Sequence, residues 1–350
     1  MNQNNHAAEA TITYLVYAPE YVHWSAGIKI LYKLHDAIKE TRREVYLLNH
    51  GRSPLKQKWK TSRLVSKLNR ERETRIFVAI YTESIIGNPL KVKNRIRWIL
   101  NYPGLLGGQA EFEQDYILAY SHNIAKRMKR PGDEMPDTLF IAALSANEIA
   151  NLRPLSEISS KRPYELLYAQ KYRALGGVPL SSSDSTIEIT RFDGKAPSRE
   201  ETLELVRGAR ALHVYENSTI ITEAQLCEVP VFCHRNEYFD ELIAEYELGN
   251  EGTTWNIDEN PKVDSKSVRT RLLTLESSLN TRVDSVLLKF ERNINWSSPC
   301  ERVRFSAFFT PLHHQTQRFK SLLANRGLRT ALRFLANFIK RSIGAKPRGY

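Results

Sequence analysis

One stretch near the N-terminus constrains the fold more than any other feature. Ile12 to Ala18 (ITYLVYA) crowds β-branched and aromatic residues together with no charge inside, the pattern of a buried strand. Pro19 and Glu20 end it. After the loop YVHWSAG, the run from Ile28 to Ile38 carries an apolar stripe of Ile28, Leu31, Tyr32, Leu34 and Ile38, a spacing that fits a helix covering a sheet. Glu44 to Leu48 (EVYLL) then reads as a second strand. Strand, glycine-containing loop, helix and strand make a βαβ unit, the building block of parallel sheets.

The pattern continues along the chain. Arg75 to Tyr81, Tyr116 to Tyr120 and Thr138 to Ala142 read as strands, Asn94 to Leu100 as the start of a short helix, and KRMKRPGDEMPD as a surface loop. Pro, Ser and charge dominate Leu152 to Arg162, where a domain boundary is expected. Strands resume at Glu165 to Ala169, Ile187 to Thr190, Ala211 to Tyr215 and Pro230 to Cys233. Ser198 to Ala209 is a helix whose start is marked by the capping-box pair Ser198 and Glu201, and Ile221 to Cys227 is a short helix. The expectation is an α/β protein of two facing Rossmann-like domains. They span residues 11–155 and 163–295, followed by a basic amphipathic segment, 296–350. Ligands of such sheets bind beyond the carboxyl ends of the strands.

Composition narrows the partners. Cys227, Cys233 and Cys300 cannot close a disulfide framework, and their expected role is as small buried hydrophobes in a reducing compartment. No metal site is expected, since His234 beside Cys233 lacks further ligands at suitable spacing, and no cofactor is expected. The polar start MNQNNHAAEA is unlike a secretion signal, and apolar runs are strand-sized, so a cytoplasmic protein is expected. Lys plus Arg exceed Asp plus Glu by 51 to 39, and residues Arg318 to Tyr350 hold nine of these cations and no acid. Leu322, Leu323, Leu328, Leu332, Leu335, Phe338 and Ile339 recur there near helical spacing. Such a segment suits an anionic membrane surface, in a peripheral association with the cytoplasmic face of the inner membrane, or a helix packed on the body. Nucleic acid is not an expected partner, because the aromatics fall mostly in strand patterns.

Four constellations could carry chemistry. In the loop YVHWSAG, Gly27 admits a bound group close to the backbone, and His23 can act as a general base or hold a hydroxyl. The glycine-rich NYPGLLGG, after Arg97 and Trp98, could border a binding cleft or simply turn the chain. Lys171 and Arg173 follow a strand end, where fixed cations stabilise a departing diphosphate more than the intact donor; ordinary solvated charge is the alternative. The richest stretch runs from Tyr215 to Val231 (YENSTIITEAQLCEVPV). Ser218 and Thr219 precede a helix start that could hold phosphate oxygens, and Glu223 sits in apolar company, so it must find a partner or face a ligand such as a ribose diol.

This stretch resembles the donor-binding segment of GT-B glycosyltransferases. The N-terminal APEYVHWSAGIKILYKLHDAIKETRREVYLL is similar to that superfamily's opening strand, glycine loop and helix, and RWILNYPGLLGG resembles bacterial members of surface-polysaccharide assembly. The resemblance implies a metal-independent glycosyltransferase that moves a sugar from a nucleotide-diphosphate sugar to a saccharide or lipid-linked saccharide acceptor. Glu223 would hold the donor ribose. Ser218, Thr219, Lys171, Arg173 and Gly27 would meet the phosphates, and Glu216 would stand in as a sugar-binding glutamate. Two departures accompany it. Glu216 and Glu223 have six residues between them where retaining members commonly have seven, and Glu228 replaces a glycine, which argues against a left-handed turn there. A non-catalytic nucleotide-sugar or saccharide-binding scaffold on a degenerate GT-B fold is the alternative.

Overall fold

The computed structural model describes residues 10–50, 55–105, 112, 114–154, 162–180, 185–190, 197–294, 301–305, 319–320, 323 and 331–332. The chain divides into two compact units, Met1–Ile141 with Ser277–Arg318 and Ala142–Glu276 with Phe319–Tyr350. Each is built on a parallel sheet with helices against it.

In the first unit the elements run β1 (Thr11–Pro19), α1 (Ala26–Glu40), β2 (Glu44–His50), α2 (Leu55–Arg70), β3 (Arg75–Thr82), β4 (Asn94–Ile99), β5 (Tyr116–Ala119), α3 (His122–Met128) and β6 (Asp137–Thr138). The strand order is β2-β1-β3-β4-β5-β6, and every pairing is parallel. Tyr14 to Ala18 of β1 are buried, which is why that strand is a near-continuous apolar run rather than an alternating one. The apolar face of α1 is Ile30, Leu31, Leu34, Ala37 and Ile38; Ile28 and Tyr32 of the expected stripe are only half-buried.

The segment expected to begin a helix at Asn94 is β4, hydrogen-bonded between β3 and β5. Its residues alternate, Arg95 and Arg97 with Ile96 and Trp98, and an arginine in such a run reads as a solvent position. Arg97 is instead buried. Its guanidinium donates to Asp115 Oδ2 (2.8 Å) and to the carbonyls of Thr82 (3.1 Å), Ile85 (2.6 Å) and Gly87 (2.8 Å). The rings of Tyr81 and Phe112 flank it at 4.9 and 4.8 Å. Pairing with two strands outweighs local preference here. The expected surface loop also begins later than its first residues suggest, because α3 runs to Met128 from a cap in which Ser121 accepts the Ile124 N–H.

In the second unit the elements are α4 (Ala146–Asn151), β7 (Tyr164–Tyr168), α5 (Gln170–Ala174), β8 (Thr186–Glu188), α6 (Arg199–Gly208), β9 (Ala209–Val214), α7 (Ile220–Leu226), β10 (Val231–Cys233), α8 (Glu245–Leu248), β11 (Thr253–Thr254) and α9 (Ser265–Ser277). The strand order is β11-β10-β9-β7-β8, again parallel throughout. α6 starts with the expected capping box, Ser198 and Glu201 satisfying each other's backbone N–H groups.

A last helix, α10 (Leu279–Glu291), follows the second sheet in sequence but belongs to the first unit, unlike the 163–295 grouping expected from composition. It buries Leu279, Val283, Val286, Leu287 and Phe290. Arg43 binds Glu291 (2.6 Å) and Asp284 (2.5 Å), Tyr14 Oη donates to Glu291 (2.6 Å), and Arg282 donates to the Phe140 carbonyl (2.5 Å). Beyond it, Val303 is buried against the first sheet, its N–H and carbonyl held by Asn69 at 2.8 and 2.9 Å. Most of the expected amphipathic tail, Cys300, and Gly107 and Gly108 lie outside the described residues.

Candidate functional site

A parallel sheet opens a crevice where successive connections leave a strand in opposite directions, outside the carboxyl ends. In the second sheet β8 lies on one side of β7 and β9 on the other, so the crevice falls between the ends of β7 and β9. Tyr168 to Lys171 leave β7 there, and Tyr215 to Thr219 leave β9. The same rule applied to the first sheet selects β1 and β3, and the loop leaving β1 holds Tyr21, His23, Trp24 and Gly27.

At the β7/β9 end the structure brings Lys171 and Glu216 together. α5 begins after Ala169, which has no side-chain oxygen with which to cap it. Glu216, only 5% exposed, replaces the missing cap across the crevice: Oε2 accepts the backbone N–H of Lys171 and, at 3.2 Å, that of Tyr172. Lys171 Nζ lies 3.3 Å from Glu216 Oε1 and donates to the Asn217 carbonyl at 2.8 Å. The Asn217 side chain donates in turn to the Glu241 carbonyl and accepts the Ile243 N–H, each at 3.0 Å, which pins the loop after β9 at that residue. Arg173 points elsewhere, in a two-pronged bond to Glu188 at 2.6 and 2.9 Å.

Ser218 and Thr219 lead directly into α7. Thr219 stands at the N-cap position without a side-chain cap bond, and both residues are half-buried. Every residue of α7 is buried. Glu223 is 4% exposed and its Oε1 accepts from Arg199 at 2.6 Å; Arg199 also reaches Glu148 at 3.2 Å. The partner that a carboxylate in apolar company requires is therefore an arginine 24 residues away, at the start of α6.

Glu228 corrects an expectation. Its φ is +56°, so the turn after α7 is left-handed despite the side chain. The Val229 N–H returns to the Ala224 carbonyl (2.9 Å) and the Glu228 N–H to that of Gln225 (3.1 Å), the paired bonds of a Schellman close. α5 ends the same way with Gly176 at φ +104° in the equivalent place.

Sequence reasoning missed the ring column beside this crevice. Tyr172 stacks on Tyr215 (5.2 Å between centroids), Tyr215 on His234 (4.4 Å), and His213 on Phe232 (5.2 Å). His213 Nδ1 and His234 Nε2 share a hydrogen bond of 3.0 Å, and His213 Nε2 lies 3.4 Å from Glu165. Burial, with His213 adjacent, pushes His234 down to about 4, and burial lowers His213 as well. Gly177 makes the column possible, since a Cβ there would stand 2.3 Å from the Tyr172 ring. The alternate spacing of aromatics at 213, 215 and 232, 234 was visible; that the two strands are neighbours was not.

In the first unit, His23 is exposed and meets Trp24 edge-on at 4.7 Å. Trp24 and Tyr21 are 53% and 48% exposed, large aromatic surfaces offered to solvent at the β1/β3 crevice. Gly27 lies in the first turn of α1 with ordinary helical backbone, and a Cβ would meet nothing closer than Leu100 at 3.8 Å. Neither turn geometry nor the space around it requires a glycine there.

Among the described residues no cluster of His, Cys, Asp and Glu is arranged to hold a metal ion, and no helix is long and apolar enough to cross a membrane. Burial pushes the Cys227 and Cys233 thiols up to about 11 and 12, which keeps them protonated at neutral pH.

The fold and the two crevices define an α/β protein of two parallel-sheet units, with an ion-paired crevice in the second and an aromatic loop in the first. No family model matches the sequence, and no curated protein matches it. Among solved structures it is similar to the spinosyn forosaminyltransferase SpnP, at 12% identity over 90% of this chain and 100% of that one, with a TM-score of 0.33. It is also similar to the glycosyltransferase SnogD from Streptomyces nogalater, at 10% identity over 80% and 99% of the two chains and a TM-score of 0.38. A third similar structure is Arabidopsis thaliana UGT89C1 complexed with UDP-L-rhamnose, at 10% identity over 90% and 99%, with a TM-score of 0.34.

Proposed function

We propose that the protein is a metal-independent glycosyltransferase of GT-B type, which takes its sugar from a nucleotide-diphosphate donor. The observation that carries this reading is the strand order β11-β10-β9-β7-β8. At the switch point of that order the ends of β7 and β9 are neighbours, and Lys171 and the Glu216-Asn217-Ser218-Thr219 loop follow them, which supports a ligand seat there. Lys171 and the hydroxyls of Ser218 and Thr219 meet the diphosphate and Glu223 the ribose, while Glu216 stands beside Lys171 and Arg173 is held by Glu188. Charge developing on the leaving diphosphate is stabilised by a cation already in place, which favours the transition state over the bound donor.

The first unit supplies the acceptor side. His23 takes the proton of the attacking hydroxyl, and Gly27 leaves the α1 N-terminus open to a close approach. A saccharide or lipid-linked saccharide is the proposed acceptor, in cell-surface polysaccharide synthesis, with the basic segment 318–348 resting on the cytoplasmic face of the membrane. Calorimetric titration with nucleotides and nucleotide-sugars tests the donor seat: Glu223→Ala should weaken free nucleotide and donor together. Wild-type affinity in that variant, or no binding of any nucleotide to the folded wild type, removes the reading. His23→Ala should lower kcat far more than donor affinity, by roughly 100-fold or more for a general base.

A second reading, a non-catalytic binding protein on the same fold, draws on one observation. Lys171, Arg173 and Glu223 are each paired with a charge of the chain itself. Saturable donor binding with neither transfer nor hydrolysis across a donor panel would favour it.

A further inference from the structure

The carboxylate of Glu216 is the most heavily committed group at the β7/β9 crevice, and its commitments are unequal. Oε2 is satisfied twice over by the Lys171 and Tyr172 N–H groups. Oε1 is buried with no hydrogen bond, and its nearest cation is the Lys171 ammonium at 3.3 Å. A buried carboxylate oxygen held only by a charge, without a directed donor, is an incomplete site. Lys171, in contrast, has a directed hydrogen bond to the Asn217 carbonyl that does not involve Glu216, and that carbonyl belongs to a loop pinned through the Asn217 side chain. The cation is fixed; the anion beside it is the replaceable partner. Arg173 cannot take its place, since Glu188 already engages it through two nitrogens.

We propose that Glu216 is a built-in counter-anion: in the ligand-free protein it neutralises Lys171, and a ligand's phosphate displaces it from that ammonium when it binds. This rests on the diphosphate seat proposed above, and assigns Glu216 the role of a positioning and gating residue rather than a contact to the sugar. The exchange is one anion for another at a single cation, so Lys171 is neutralised at either end. The Glu216 carboxylate, still held by the Lys171 and Tyr172 N–H groups, gives up its cation and sets a cost the ligand must exceed. It also sets specificity. A ligand must bring enough negative charge to outcompete an intramolecular carboxylate, which a diphosphate does and a neutral saccharide does not.

The test uses inorganic pyrophosphate as the probe and Glu216→Gln as the variant. The glutamine carbonyl can still accept the Lys171 and Tyr172 N–H groups, so α5 keeps its cap while Lys171 loses its competitor. Calorimetric titration should show pyrophosphate binding about tenfold tighter to E216Q than to wild type, as expected for releasing a partly buried cation from its partner. The gain should vanish in E216Q/K171M. A residue that only caps α5 predicts equal affinities, and one that touches the ligand predicts weaker binding in E216Q; either result overturns the proposal. If E216Q folds poorly, the wild type with pyrophosphate bound provides the readout: Glu216 Oε1 should have left the Lys171 ammonium, and a carboxylate still seated there overturns it. Nucleoside diphosphate binding without pyrophosphate binding would overturn this inference alone, whereas no binding of either would overturn the donor seat as well.

Discussion

Glu228 and Gly176 occupy the same place in two helix ends, and they differ in what that place costs. A left-handed residue with a Cβ is strained by about 1–2 kcal/mol, which glycine escapes. Glu228→Gly should therefore raise stability by about 1 kcal/mol in urea unfolding, since its exposed contact to Ser265 (2.8 Å) contributes little. Gly176→Ala should lower stability by a similar amount. The histidine pair carries a pH dependence with a definite sign. His234 ordinarily titrates near 6.5 and here near 4, so the unfolded chain binds the extra proton first. Its contribution is complete above about pH 6.5 and is lost as pH falls toward 4, on the order of 1–3 kcal/mol for a half-buried ring. Unfolding free energies measured across that window should fall with acid, and His234→Phe should flatten the slope.

Among the elements, β4 is the most informative. Its strand buries Ile96, Trp98 and Ile99 and, beside them, an arginine, and removing that guanidinium takes one donor from Asp115, which Arg95 still binds, and one from each of three carbonyls. Arg97→Met should cost about 3–5 kcal/mol, read as a drop in the unfolding midpoint. At the start of α1 the expectation runs the other way. Gly27 has room for a methyl group, so Gly27→Ala should keep or raise stability by up to about 1 kcal/mol through helix propensity. A loss of ligand binding in that stable variant would report a group approaching the backbone. Strands β1, β2, β3, β7 and β9 were legible because buried parallel strands are written as apolar runs. β4 was not, because its arginines are satisfied by groups distant in sequence.

Across the molecule, the notable feature is that the chain returns to its first unit at Ser277, before the last segment of the second. α10 supplies five buried apolar side chains and the two carboxylates that bind Arg43. Phe290→Ala should therefore destabilise the first unit, by about 3–5 kcal/mol for a buried phenylalanine, while the second sheet's helices keep their protection, a difference that hydrogen exchange resolves by segment.

Local order along the chain was enough to specify the α/β class, most of the strands, the α6 capping box and the two loops that carry the candidate site, because hydrophobic period and cap spacing are short-range properties. Which charges face one another was not. Lys171 meets Glu216, Glu223 meets Arg199, and Arg97 meets Asp115 only after elements separated along the chain become neighbours, and the energy of a buried charge depends on that neighbour far more than on its own surroundings in the chain.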